Sequence, residues 1–109
     1  VTPAGGEMRG VRLAPPLGPE TRRTGPAVVV PADALNRMRQ TVVVVPLSTA
    51  AAAHPPVTVP VHCRGKRVVA VVDQVRAISR ERLVSKIEDA RDEDLLAVGE
   101  ALARILELP

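Results

Sequence analysis

The apolar positions of this chain fall into short β-branched runs closed by proline or glycine, and only the last stretch carries a helical period. "PAVVVP" (26–31) and "TVVVVP" (41–46) have the length and residue types of buried strands. "PVTVPVHC" (56–63) and "RVVAVVDQV" (67–75) are two more, joined by the turn Arg64-Gly65-Lys66. A weaker strand spans Glu7 to Leu13, and another spans Leu83 to Ile87 after the charged turn that begins at Ser79. The runs are nearly continuous in apolarity, which predicts burial on both faces, as in a small closed or strongly coiled barrel. "DEDLLAVGEALARILELP" instead places Leu95, Val98, Leu102, Ile105 and Leu106 on one helical face. Asp92, Glu93 and Asp94 complement the positive end of that helix. The pattern predicts an α+β fold with a β-barrel and a C-terminal α-helix.

Two connections break the pattern. Ala14 to Gly25 holds prolines, glycines and charges, and reads as a long loop. "ADALNRMRQ" (32–40) reads as one helical turn or an irregular link, with Asp33 as its cap.

At 109 residues the chain supports a single domain, 1–109, and a homodimer would relieve its shortage of core. Aromatic residues are 0% of the sequence, so any hold on single-stranded nucleic acid must come from charge and backbone contacts rather than stacking. Residues 1–87 carry 13 of the 15 Lys and Arg against 5 of the 12 acids, whereas the remainder is acidic. A basic body suits an anionic partner. A soluble surface of mixed sign accounts for the same charge count equally well. Cys63 is the only cysteine, so an intramolecular disulfide is impossible and a reducing compartment fits. Two histidines and one cysteine at scattered positions do not make a zinc site. No apolar run approaches a membrane span and no signal pattern opens the chain, which predicts a cytoplasmic protein with no membrane association.

The strings "GPAVVVPADALNR", "TVVVVPLST", "VVDQVRAISRERL" and "ALARILEL", together with Gly6-Glu7 and Pro15-Pro16-Leu17-Gly18, occur in the order and spacing that resemble the MazF/PemK-like toxins of bacterial toxin–antitoxin systems. The resemblance implies a small SH3-like barrel of the CcdB–MazF type and a homodimer. It implies an endoribonuclease that cuts single-stranded RNA without a metal or other cofactor, held inactive by a cognate antitoxin. Metal-free cleavage needs a proton acceptor, a donor to the leaving oxygen, and cations or N–H groups for the phosphate charge.

For these roles the resemblance points to Ser48, with Thr49 beside it, after the second valine run, and to Asp73 with Gln74 in "VVDQVR". The family usually has Arg-Pro where this chain has Gly25-Pro26, so Arg23, with Arg22 next to it, is expected to supply the missing cation. Arg9 stands where the family usually has tryptophan, which predicts weaker packing of the first strand, and Val71 stands where some relatives have an arginine. Arg37, Arg39, Arg76, Arg80 and Arg82 are candidates for tracking phosphates. His54 reads as a loop residue. Without the resemblance, Ser48 reads as an ordinary strand terminator, Asp73 as a strand-end acid bonded to backbone N–H groups, and Arg22 and Arg23 as a solvated pair. Two other readings of the same fold remain open: a homologue that binds antitoxin or RNA without cutting, and a CcdB-like gyrase binder.

Overall fold

The computed structural model describes residues 5–12, 24–30, 40–49 and 52–107. Among these, seven strands and one α-helix form a curled antiparallel sheet with the helix packed on one face. The strands are β1 (Glu7–Arg12), β2 (Thr24–Val29), β3 (Thr41–Ser48), β4 (Thr58–Cys63), β5 (Lys66–Val71), β6 (Arg76–Ser79) and β7 (Leu83–Asp89), followed by α1 (Asp92–Ile105). The order across the sheet is β4-β5-β3-β2-β1-β7, with β6 also paired to β3.

The curl originates at β3, which changes partner along its length. Its first half pairs with β6, from Thr41↔Ser79 to Val44↔Arg76, and its end pairs with β5 at Leu47↔Ala70 and Ser48↔Val69. Between these pairings, Val45 and Pro46 face the five residues 71–75, so the neighbouring chain bulges outward. Pro46 has no N–H to give, and it lies where the ladder on that side is interrupted. The sequence reads residues 67–75 as one strand, but the structure ends it at Val71 and inserts a 3₁₀ turn, Val72–Gln74, before β6. One straight strand cannot pair with both halves of a bent partner, and the extra residues absorb the bend. At β2 the strand begins two residues earlier than expected: Thr24 and Gly25, assigned above to the loop, pair with Arg12 and Val11.

Alternation along β2 and β3 creates two cores. Val28, Val45 and Leu47 face the helix, in a cluster with Met8, Val59, Val61, Val98 and Ala101. Ala27, Val29, Val42 and Val44 face the other way and pack with Val11 and Ile78. Cys63 belongs to the helix-side core, where burial, aided by the Glu88 carboxylate, pushes its thiol above the ordinary 9.0. A group that ionises less readily when folded is a packing residue, not a nucleophile. The Arg64-Gly65 turn between β4 and β5 has positive φ at both residues, as a two-residue hairpin demands.

α1 carries the predicted apolar face through Leu95, Val98, Leu102 and Ile105. Leu106, assigned above to that face, is exposed, because the helix closes at it and Glu107 turns to a φ of 55°. Gly6 fastens the helix to the sheet: its N–H donates to the Val29 carbonyl, and its own carbonyl accepts from Ala90. At Gly6 φ is +90°, and a Cβ there would lie 2.9 Å from Leu95 Cδ1. Gly6→Ala is therefore expected to cost about 1–3 kcal/mol, chiefly through backbone strain, read as a lowered urea midpoint. An unchanged midpoint would contradict the assignment.

Arg9, in place of a packed ring, ties β1 to β7. Its Nε and Nη2 donate to the Val84 carbonyl at 3.3 and 3.1 Å, and its Nη1 pairs with Glu7 at 3.0 Å. Lys86 joins from β7 through Glu7 and Asp89, the hydrogen bond to Asp89 raising its pKa.

Candidate nucleic-acid interface

The sheet face turned away from α1 carries a shallow, open depression. Its floor is apolar, formed by Val11, Ala27, Val44 and Ile78 with Pro26 and Pro46, and Arg12 and Arg76 stand at its sides. Each arginine is placed by strand pairing. Arg12 ends β1 opposite Thr24, and its Nη2 donates to the Glu81 carbonyl at 2.8 Å. Arg76 opens β6 opposite Val44. Both residues are exposed, and neither forms an ion pair with a described residue. Two cations beside a narrow apolar floor favour an anionic ligand that also brings flat, weakly polar surface, and a nucleotide has both.

Ser48 lies on this same face. Residues 42, 44, 46 and 48 alternate to one side of β3, and Val44 and Pro46 line the depression. Ser48 is half-buried and four residues along from Val44, hence about 13 Å along the strand from the level of Arg76. Thr49 follows it in an exposed bend. Asp73 and Gln74 are both exposed in the 3₁₀ turn that bulges beside Val45 and Pro46, between the levels of Ser48 and Arg76. Among the described residues, Asp73 lacks the backbone N–H partners that a strand-end acid usually has. Its own N–H and that of Val72 donate to the Val57 carbonyl, while its carboxylate has no partner among the described residues. Along β3, Asp73 thus lies between the levels of Ser48 and Arg76, but the turn that carries it packs toward α1 through buried Val72.

Arg22, Arg23, Arg37 and Arg39 lie outside the described residues. Arg80 and Arg82 are half-buried in the 3₁₀ turn after β6. His54 is an exposed loop residue bridged to Thr58 through the backbone.

Arg12 was not singled out by sequence reasoning. The register Ala27↔Pro46, continued by two residues, sets Gly25 level with Ser48, and Gly25 in turn faces Val11. Gly25 offers no side chain there, and Arg12, one residue beyond Val11 at the end of β1, joins the lining of the depression. Its signal in the sequence was its place at the charged end of the first strand, which acquires meaning only once the strand pairing is known.

Comparison with known proteins bears on the family and the fold. Residues 5–106 match the sequence family described as the PemK-like, MazF-like toxin of type II toxin–antitoxin systems. No curated protein sequence matches the chain. Among solved structures, the chain is similar to MazF from Deinococcus radiodurans, at 23% identity and a TM-score of 0.81 over 99% of each chain. It is also similar to MazE–MazF from the same organism, at 21% identity and a TM-score of 0.82 over 100% of each chain. A mycobacterial endoribonuclease in complex with its cognate antitoxin is similar at 22% identity and a TM-score of 0.79, over 98% of this chain and 97% of that one.

Proposed function

The chain belongs to the PemK-like, MazF-like toxins of type II toxin–antitoxin systems, and from that premise we propose that it is a metal-independent endoribonuclease that cuts single-stranded RNA. The observation that carries the reading is the pair of arginines, Arg12 and Arg76, beside an apolar depression on the sheet face that also bears Ser48. A scissile phosphate at that face meets two guanidiniums, which offset the charge that grows on its oxygens in the transition state. The Ser48 hydroxyl donates to a phosphate oxygen. Asp73 accepts the proton of the attacking 2′-hydroxyl. The 2′-oxygen–phosphorus bond forms as the phosphorus–5′-oxygen bond breaks, and the departing 5′-oxygen takes its proton from water. The product ends are a 2′,3′-cyclic phosphate and a 5′-hydroxyl.

In this reading Arg12 takes the place first assigned to Arg22 and Arg23. The protein works as a homodimer, and a cognate antitoxin of acidic and apolar character restrains it by lying over the same cationic face. The MazE–MazF pair and the mycobacterial complex are the precedents for such a partner.

The experiment is incubation of a long unstructured RNA with the purified protein in EDTA, with the cut ends mapped and their chemistry determined. Discrete cuts carrying 2′,3′-cyclic phosphates, lost on Ser48→Ala, are expected. A folded protein that leaves the RNA intact would overturn the enzymatic reading.

A further inference from the structure

On the helix side of the sheet, away from the depression, three metal-ligating side chains converge from two elements. His62 comes from β4, and Glu93 and Asp94 come from the first turn of α1; their donor atoms all lie within 4.8 Å of one another. We infer that these residues form a binding site for a first-row divalent cation of the zinc, cobalt or nickel class. No position in the primary sequence hints at this, since His62 stands 32 residues from Asp94 and a search for histidine and cysteine spacing passes over carboxylates.

The three donors are held unequally, as an open site requires. The Asp94 side chain keeps only 9% of its surface exposed, and its Oδ2 accepts the His62 backbone N–H at 2.8 Å, which fixes the carboxylate plane. The His62 imidazole Nδ1 lies 3.3 Å from the same oxygen and is partly open to solvent. That separation matches two ligands on one ion at metal–ligand distances of about 2.0–2.2 Å. Glu93 is exposed, and its partner is Arg91 at 3.7 Å, a loose contact that lets the carboxylate turn toward the other two donors. The donor set is one nitrogen and two carboxylates with the outer side facing water. Imidazole with carboxylate selects the borderline divalent metals over calcium or magnesium, which prefer all-oxygen shells, and over copper(I), which prefers sulfur.

The site also has an electrostatic reason to take a cation. Asp92, Glu93 and Asp94 crowd one helical turn, and among the described residues no Lys or Arg forms an ion pair with buried Asp94. A divalent ion would join β4 to the start of α1 and stabilise the fold, without touching the face that carries Ser48 and the arginines. The inference therefore stands whether or not the protein cuts RNA.

The test is titration of the metal-free protein with zinc or cobalt chloride at pH 7.5, followed by calorimetry and by cobalt d–d absorption. One ion per chain with micromolar affinity and a raised melting temperature is expected. His62→Gln and Glu93→Gln should each weaken binding by about tenfold or more, while His54→Gln leaves it unchanged. In the wild-type protein, cobalt should broaden amide resonances centred on residues 61–63 and 92–95, a readout that needs no variant to fold. Absence of saturable binding below about 1 mM, a weak affinity for a three-ligand site, would overturn the inference. So would binding that survives both substitutions, or broadening centred elsewhere.

Discussion

Arg76→Ala is expected to lower the rate of RNA cleavage by about 100-fold or more, and Arg12→Ala by a similar factor, with the fold unchanged. Both side chains are exposed, and neither packs in either core cluster, so their removal leaves the two cores intact. What disappears is positive charge at the side of the depression, which in the proposed mechanism acts on a developing phosphorane rather than on the folded state. Two readouts separate this role from general surface charge. RNA affinity should fall with each substitution, and the slope of log K against log salt should shrink by about 0.7 for each phosphate of the single strand that is no longer neutralised. The same substitution at Arg67, exposed on the β4–β5 hairpin, should change the cleavage rate far less. If Arg76→Ala and Arg67→Ala reduced cleavage equally, charge alone would explain the effect and the depression would not be the site. If both cations act on one phosphate, as proposed, the Arg12→Ala,Arg76→Ala double variant should be impaired by less than the product of the two single effects.

The valine runs were legible because burial on both faces leaves no alternative to a strand: "TVVVVPLS" became β3 and "PAVV" became the greater part of β2. The helix was legible because three acids precede a clean apolar period. Residues 67–75 misled because local sequence cannot show that their partner strand bends. Valine favours a strand at each position, and only the competing demands of pairing with both ends of β3 force the turn at Val72–Gln74. The candidate site divides along the same line. Ser48 and Asp73 could be named because motifs placed them at strand ends, whereas Arg12 is defined by what stands opposite it across two strands, and the His62–Asp94 pairing by closure of the helix onto β4. Residues brought together from distant parts of the chain carry no local periodicity, so neither could be read before the fold.

Met8→Ala is expected to cost about 2–5 kcal/mol, out of a total stability of about 5–15 kcal/mol for a domain of this kind. A chain with 0% aromatic residues must fill its helix-side core with short side chains, and Met8 is the longest of those that are fully buried, at 1% exposure. It sits where β1, β2, β4 and α1 meet, around a small hollow shared with Val28, Val61, Ala90, Leu95 and Val98. Valine and alanine neighbours are too short and too stiff at χ1 to follow a receding side chain, so truncation should leave a cavity rather than a collapsed core. Met8→Leu, which nearly conserves volume, should cost less than about 1.5 kcal/mol. Urea unfolding distinguishes these outcomes: the alanine variant should lower the midpoint by about 1–3 M with its slope unchanged, and the leucine variant by a fraction of that. A Met8→Ala cost as small as that of Met8→Leu would mean that the core relaxes around the gap, and that the missing aromatic rings are compensated by plasticity rather than by one long side chain at the junction of sheet and helix.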